Sequence, residues 1–447
     1  MSWVLAISVA LLGYTYAGYP ALIWLLARVR GRPARKGPFA GGAAVLIAAH
    51  NEAETLPRKL ENLLELAKNE PIREIWIGLD GCTDGTGARV RERLETGDSR
   101  LETGDRRLET GGGGLMAEGL SLQSTVYGLK SPPRIQILEY ERCRGKAAVL
   151  NDLMAQAAQP ILLMMDARQR VEAGAISKLL EPFADPQVGV VSGALVYESA
   201  DGAAQKGAES YWGYEKFIRR CESRFWAVPG ATGALYAIRK ELCAPIPEKT
   251  LVDDVLIPMR SVLKGFRCLF EPSARVFDLP SAHFGQEGLR KRRTLAGIWQ
   301  MGRLEPRIYS VFANPILFQW ISHKFLRLLT PFLVAAAVAA AGVQAYGRTG
   351  VQKTEDRISN IQFSISNVQV GADSVDPLRV FFWIMVAGIG ASGLAYGGGR
   401  RIRSRILGLL GAFWGVNGAL VLAAGDAWTG RFEARWKRGQ KEERPET

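Results

Sequence analysis

Three short clusters of polar residues each stand directly after an apolar run that has the length of a buried strand. The clusters occupy residues 50–52, 80–86 and 166–168. In an open α/β sheet, ligands bind just beyond the carboxyl ends of the strands, and all three clusters fall there. We therefore expect one binding site that is built from all three clusters.

The residue types in these clusters indicate the chemistry of that site. Carboxylates beside glycine-rich turns suit recognition of a ribose and a base, and an aspartate with a divalent cation suits a diphosphate. An acidic pair, Asp253 and Asp254, follows a glycine-rich stretch at residues 230–234 and could provide a general base. The basic residues that could neutralise phosphate charge are Arg144, Lys146, Arg292 and Arg293.

The elements that position these residues can be predicted from the hydrophobic pattern. Continuous apolar runs predict strands at residues 44–49, 73–79, 134–140 and 160–165. Apolar residues at helical spacing predict helices at 54–67 and 147–158. Alternating strands and helices predict a doubly wound, Rossmann-like α/β sheet.

Four long stretches carry no charged side chain, although the hydrophobic content of 47% is ordinary for a globular protein. They are residues 1–27, 328–347, 380–399 and 406–425, and the last three each have 20 residues. A helix needs about 20 such residues to cross a membrane. This pattern excludes a wholly soluble enzyme and a disordered chain, and five widely spaced cysteines exclude a disulfide scaffold.

Basic residues from Arg28 to Lys36 directly follow the first apolar stretch, which places them on the cytoplasmic side of a membrane. We expect a transmembrane anchor at 1–27, a cytoplasmic domain at 44–304, an interfacial segment at 305–327, about three transmembrane helices at 328–425 and a basic tail at 426–447. Three crossings would put the tail outside, whereas its basic residues favour the inside, so its side stays open.

Residues 93–133 form a variable insertion within the cytoplasmic domain. It begins with three tandem units of seven residues, RLETGDS, RLETGDR and RLETGGG. A coiled coil needs two apolar positions in every seven residues, and here only one leucine recurs. The glycine in every unit also disfavours a helix, so we expect a surface loop.

Seven motifs, in order, resemble those of the membrane-bound inverting glycosyltransferases of family 2, which include cellulose, hyaluronan and poly-N-acetylglucosamine synthases. The motifs are AAHNEAETL, IGLDGCTDGT, RGKAAVLN, MMDARQ, GATGALYAIRK, LVDDVLIP and RKRRTLAGIWQ, and they cover about residues 44–303. The resemblance implies a GT-A fold, a nucleotide-sugar donor that we expect to be a UDP-sugar, and Mg²⁺ or Mn²⁺ as cofactor.

The resemblance also implies roles for individual residues. Those expected near the base and ribose of the nucleotide are Asn51, Glu52 and Asp80. Lys146 would contact the donor diphosphate, and Asp166 would be the first carboxylate of the family's metal-binding DxD motif. The third position of that motif is Arg168, which either removes one metal ligand or itself neutralises part of the phosphate charge.

By the same resemblance, Asp254 is the general base and Asp253 is its partner. Their alternative role is an anionic pair that stabilises the N-terminus of a helix. The family's QxxRW motif is altered, because Arg290, Arg293 and Thr294 occupy its Gln, Arg and Trp positions. Arg293 can still bind diphosphate, but the missing Trp weakens the case for a processive polymer synthase.

We therefore expect an inverting glycosyltransferase in the cytoplasmic (inner) membrane of a bacterium, with several membrane spans and a cytoplasmic catalytic domain. Its partners would be a nucleotide-sugar donor, a glycan or lipid acceptor and membrane lipids. Transfer of a single sugar to a polyprenyl-phosphate or other lipid is the alternative to polymer synthesis, and a catalytically silent nucleotide-sugar-binding scaffold is a third reading. The net charge of +13 suits a membrane or a phosphate-bearing substrate, and no nucleic-acid-binding module is visible.

Overall fold

The structure of the protein is a computed structural model. It describes residues 2–96, 99–108, 117–126, 132–197, 203–278, 284–360, 379, 382–383, 387 and 405–429. The chain forms two compact units. The first comprises Met1–Leu22, Asp201–Tyr211 and Ile321–Leu422, and the second comprises Ile23–Ala200, Trp212–Trp320 and Ala423–Thr447. The domain boundaries expected from the sequence stay a prediction.

The second unit is built on one mixed sheet. Its strands are β1 (Ala43–Ala49), β2 (Ile72–Asp80), β3 (Ser99–Leu108), β4 (Ala117–Val126), β5 (Arg134–Tyr140), β6 (Ile161–Met164), β7 (Arg170–Val171), β8 (Val188–Tyr197), β9 (Tyr236–Arg239) and β10 (Arg267–Asp278). Their spatial order is β3-β4-β5-β2-β1-β6-β9-β8-β10-β7. The predicted α/β class is confirmed, and the four predicted strands correspond to β1, β2, β5 and β6.

The core of the sheet is parallel, and one antiparallel strand interrupts it. Strand β1 lies between β2 and β6 and is parallel to both. All seven of its residues are buried, as a continuous apolar run predicts for a strand that is covered on both faces. Strand β9 is antiparallel to β6 and to β8, so the sheet is not doubly wound throughout.

The helices are α1 (Ser2–Gly13), α2 (Tyr19–Val29), α3 (Leu56–Ala67), α4 (Thr86–Thr96), α5 (Lys146–Gln156), α6 (Ala175–Leu180), α7 (Ala203–Phe225), α8 (Asp253–Leu263), α9 (Phe284–Leu304), α10 (Leu317–Gln319), α11 (Leu326–Asn360) and α12 (Arg405–Thr429). Helix α3 shows the predicted periodicity, since Leu56, Leu60 and Leu63 are all buried in the core that also contains β1 and β2. This buried face ties α3 to the sheet that carries the polar clusters.

The insertion differs from the surface loop that we expected. Its described backbone forms the antiparallel pair β3 and β4, and β4 also pairs with β5. In β4, Leu120, Leu122 and Val126 stand at even spacing, the period of a strand. These three residues follow the seven-residue units, and we had predicted a loop from those units alone.

Two helical stretches are long and apolar enough to cross a membrane, Trp3–Val29 and Leu317–Ala345. The second begins inside the segment that we expected to be interfacial, because no proline or glycine interrupts residues 317–330. In the first unit, the Tyr14 hydroxyl lies 2.8 Å from the Ser322 hydroxyl. The predicted span at 380–399 lies almost wholly outside the described residues, as does the tail beyond Thr429.

Candidate active site

The loops after β1 and β2 are bound to each other. The imidazole Nδ1 of His50 donates a hydrogen bond to the carbonyl oxygen of Asp80 at 2.5 Å. The side-chain oxygen of Asn51 accepts one from the Thr83 amide at 2.8 Å. Asn51 has a positive φ of 54°, a left-handed conformation that asparagine tolerates better than most residues. The polar clusters of the first two strands therefore meet, as the sequence predicted.

Glu52 is nearly inaccessible, with 7% of its surface exposed. Its amide donates to the Thr86 hydroxyl at 2.9 Å, and its carboxylate accepts a hydrogen bond from Thr55 in its own turn. Asp84 accepts hydrogen bonds from the amides of Ala53 and Thr86. Burial alone would raise the pKa of Asp84, but these bonds and one from the Thr86 hydroxyl lower it.

Asp80 is fully buried at the end of β2. Its carboxylate accepts hydrogen bonds from the amides of Arg144 at 2.6 Å and Gly145 at 2.8 Å. The neighbouring Gly81 leaves space for this loop, because a Cβ there would lie 2.5 Å from the Cys143 nitrogen. The contacts thus make Asp80 the anchor of the loop that leads into Lys146.

Lys146 begins α5 and lies among three carboxylates. Its ammonium is 3.0 Å from Asp166 Oδ1 and 3.3 Å from Asp253 Oδ2. Burial alone would lower the pKa of Lys146, but the charges of Asp166, Asp253 and Asp254 raise it above its usual range. Lys146 is therefore a permanent positive charge at the centre of this cluster.

Asp254 is a buried carboxylate whose pKa lies above its usual range. Burial and then the charge of Asp253 raise the pKa of Asp254 to about 6, although Lys146 acts in the opposite direction. Its Oδ2 accepts a hydrogen bond from the Gly233 amide at 3.0 Å. A Cβ on Gly233 would lie 3.4 Å from both Asp254 Oδ2 and Asp166 Oδ2, so the glycine separates the two carboxylates.

Both members of the acidic pair lie in the first turn of α8. The positive end of a helix dipole stabilises carboxylates at this position, as the alternative role from the sequence supposed. The same position also brings Asp253 to Lys146 and Asp254 to Gly233. The acidic pair thus lies both at a helix terminus and in the cluster, and its role as base and partner stays a prediction.

Arg168 points to a carboxylate that the sequence analysis missed. Its Nη2 lies 3.6 Å from Asp278 Oδ2, and the Gln169 side chain donates to the same oxygen at 3.0 Å. Asp278 is the last residue of β10, which is parallel to β8. The rule that selected the other strand ends would therefore have selected Asp278 as well.

Arg292 and Arg293 both lie within the altered QxxRW segment, and their side chains have different environments. Arg292 makes two hydrogen bonds to Asp426, each 2.6 Å long, so its charge is already matched. Arg293 is exposed. The side chain of Arg290 lies outside the described residues. Of the three arginines proposed for phosphate, Arg144 pairs with Asp152 at 2.6 Å and Arg292 pairs with Asp426, so Arg293 is the one for which these contacts show no carboxylate among the described residues.

A divalent cation fits the site only with help from a substrate. The described part of the chain has no group of three or more His, Cys, Asp or Glu side chains that could hold a metal ion. Mg²⁺, however, is commonly bound by one or two carboxylates together with substrate phosphates and water. Asp166 is partly exposed, and only its Oδ1 is taken by Lys146. The donor set therefore fits a cation whose remaining ligands come from a diphosphate.

A comparison with solved structures shows the fold. A solved mannosyltransferase from Pyrobaculum calidifontis, in complex with GDP-Man and Mn²⁺, matches with a TM-score of 0.63 and 19% sequence identity. The match covers 96% of this chain and 99% of that chain. The fold is thus the GT-A fold of glycosyltransferases.

Two sequence comparisons agree with this fold. The model of glycosyl transferase family 2 matches residues 120–246. The poly-beta-1,6-N-acetyl-D-glucosamine synthase of Staphylococcus aureus strain COL is 23% identical over 278 residues, which are 61% of this chain and 57% of the relative. The match thus spans little more than half the length of the relative. Residues 120–246 thus resemble a family 2 glycosyltransferase domain, and the resemblance seen in the motifs is confirmed.

Proposed function

We propose that the protein is an inverting glycosyltransferase that moves a sugar from a nucleotide-diphosphate sugar, a UDP-sugar by our expectation, to a glycan or lipid acceptor at a membrane. The observation that carries this proposal is the cluster of Lys146, Asp166, Asp253 and Asp254 at the strand ends. It combines a permanent cation with a carboxylate whose pKa lies near neutral pH, as proton transfer requires.

In this proposal, the base and ribose of the donor bind beside the joined loops after β1 and β2. Asn51 and Glu52 are the candidate contacts there. Asp80 acts as a positioning residue, because both of its oxygens already accept hydrogen bonds from the loop before Lys146. Lys146 and Arg293 then stabilise the negative charge of the diphosphate.

The reaction is a displacement at the anomeric carbon. The acceptor hydroxyl oxygen forms the new bond to that carbon, and the bond from the carbon to the diphosphate oxygen breaks. Asp254 takes the hydroxyl proton, and the electron pair of the broken bond leaves with the nucleoside diphosphate. Lys146 stabilises this leaving group because its charge does not have to reorganise during the reaction.

Asp166 would hold Mg²⁺ or Mn²⁺ together with diphosphate oxygens. When bound, such a cation neutralises charge that builds up on the departing diphosphate. Asp253 takes no proton in this scheme. Its carboxylate fixes Lys146 from the side of α8 and raises the pKa of Asp254.

We place the enzyme in the cytoplasmic membrane of a bacterium, with several spans and the catalytic domain on the cytoplasmic side. The support is two apolar helical stretches and the basic residues that follow the first of them. The acceptor is a growing glycan or a membrane lipid, and product size distinguishes the two.

The test uses the full chain, purified and placed in lipid, with radiolabelled UDP-glucose, UDP-N-acetylglucosamine and UDP-galactose as donors. Asp254→Asn removes the base, and Glu65→Gln is the matched control because Glu65 is an exposed surface carboxylate. We expect transfer from one donor, retained in Glu65→Gln and reduced at least about 1,000-fold in Asp254→Asn.

Labelled material that stays large on a gel would identify polymer synthesis, and one sugar on an extracted lipid would identify lipid glycosylation. Turnover by Asp254→Asn near the wild-type rate, with UDP binding intact, would refute the assignment of the base. Binding of UDP without turnover of any donor would favour a silent scaffold over the proposal.

A further inference from the structure

Lys59 is a buried lysine of α3 that the proposed reaction does not use. Only 3% of its surface is exposed, and its ammonium donates a hydrogen bond to the carbonyl oxygen of Gln169 at 2.9 Å. Burial lowers the pKa of Lys59 to about 7, while the charge of Asp166 raises it. Burying a lysine ammonium is costly because it removes charge from water, and one backbone hydrogen bond offsets only part of that cost. Lys59 thus needs an explanation other than stability.

The bond from Lys59 reaches the loop that carries Asp166. That loop connects β6 to β7, and Asp166 and Gln169 both lie in it. One turn further along α3, Asn62 donates to the Val171 carbonyl at 3.0 Å and accepts from the Val171 amide at 2.8 Å. Helix α3 therefore holds the loop at two points that lie after Asp166.

The opposite side of the loop is held by Asp278. The Gln169 side-chain nitrogen donates to Asp278 at 3.0 Å, and the Gln169 side-chain oxygen is buried without a hydrogen-bond partner among the described residues. Gln169 is thus fixed by its backbone bond to Lys59 and its side-chain bond to Asp278. These contacts leave the Asp166 loop little freedom.

We propose that Lys59 and Asn62 are positioning residues that hold the Asp166 loop in the geometry needed to stabilise the donor diphosphate as it departs. The proposal rests on the proposed function, in which Asp166 faces that diphosphate beside Lys146. Neither residue touches the donor. They act through the backbone of Gln169 and Val171, so their loss displaces Asp166 without removing any group that contacts the nucleotide.

The test compares Lys59→Met and Asn62→Leu in the full chain in lipid, and Lys178→Met is the control because Lys178 is an exposed lysine paired with Glu181. Methionine matches the lysine stem but has no donor. We expect kcat to fall roughly 10- to 100-fold, as a displacement of about 1 Å does in active sites. UDP affinity stays within about threefold, because Asn51, Glu52 and Asp80 do not lie on this loop, and Tm does not fall in Lys59→Met.

Hydrogen–deuterium exchange of residues 166–171 supplies a readout that does not need turnover. We expect faster exchange there in both variants and wild-type exchange in Lys178→Met. The kcat of the double variant should be no lower than that of the less active single variant, because both substitutions act on one loop.

Wild-type exchange of this loop in Lys59→Met and Asn62→Leu would overturn the proposal, as would faster exchange with an unchanged kcat. A parallel loss of Tm, UDP binding and kcat would also overturn it and would indicate a merely structural lysine. If the wild-type protein transferred no sugar, the proposed function would fail, whereas the exchange data would still decide whether α3 holds the loop.

Discussion

The pKa of Asp254 makes a specific prediction about the pH dependence of transfer. The carboxylate must be ionised to accept the acceptor proton, and its pKa is raised to about 6. We therefore expect kcat/KM to reach a plateau above about pH 7, to be half of that plateau near pH 6 and to fall to roughly a tenth of it at pH 5. The pH profile of kcat/KM reports ionisable groups of the free enzyme, and the pKa of about 6 describes Asp254 in that state.

Two substitutions should move this midpoint in opposite directions. Asp253→Asn removes a negative charge that raises the pKa of Asp254, so the midpoint should fall. Lys146→Met removes a positive charge that lowers the same pKa, so the midpoint should rise. Charges at close range shift a pKa by about 1–3 units, which a pH–rate profile resolves.

The same pKa predicts how stability depends on pH. The pKa of Asp254 is raised from 3.8 to about 6, so the folded state binds this proton more tightly than the unfolded state. Stability from this group is therefore lost as the pH rises through about 6, and above it the cost is up to roughly 3 kcal/mol. Asp254→Asn should thus unfold at a higher temperature than the wild type at pH 7, although its transfer activity is strongly reduced.

The assay is donor turnover from pH 4.5 to 8 in lipid, alongside thermal unfolding of the same samples. If neither substitution changed the pH midpoint of kcat/KM, or if both moved it in the same direction, Asp254 would not be the titrating base. A less stable Asp254→Asn at pH 7 would contradict the origin of its raised pKa.

Three further predictions concern the rest of the site. Arg292→Ala should change UDP affinity less than about threefold because Asp426 already pairs with Arg292, whereas Arg293→Ala should weaken it roughly tenfold, as measured by calorimetry. Asp80→Asn should lower stability by about 1–3 kcal/mol in denaturant unfolding, because one of two accepted amide bonds is lost. Removal of divalent cations with EDTA should abolish transfer, and Mg²⁺ or Mn²⁺ should restore it unless Asp166 is replaced by Ala.

Each of these has an outcome that contradicts it. Equal losses in the two arginine variants would show that the Asp426 pair does not shield Arg292. Wild-type stability of Asp80→Asn would show that the loop before Lys146 has another anchor. Full turnover in EDTA would assign charge neutralisation to Lys146 and Arg293 alone.

Much of the sheet could be predicted because its strands are buried on both faces. The runs that became β1 and β6 are apolar throughout, and the polar residues that end them mark the edge where ligands bind. Strand β9 gave a weaker signal, since its four residues lie inside the family motif GATGALYAIRK, which follows no long apolar run. Its antiparallel direction comes from a long connection, which local patterns do not encode.

The site could be predicted in part. The resemblance supplied Lys146, Asp166 and Asp254, but contacts between distant residues had to come from the structure. Asp278 lies 110 positions after Arg168, and no local spacing links the two. Lys59 was hidden for another reason, because a lysine on an amphipathic helix ordinarily lies on the solvated face.

The central claim, an inverting transfer with Asp254 as base, is tested most directly by the configuration of the product. In UDP-sugars such as UDP-glucose, an α linkage joins the anomeric carbon to the diphosphate. Displacement from the opposite face must therefore give a β linkage to the acceptor. Proton NMR of the first product formed from the accepted donor resolves the two. A β-linked product that is lost in Asp254→Asn is the predicted result, and an α-linked product would contradict the account.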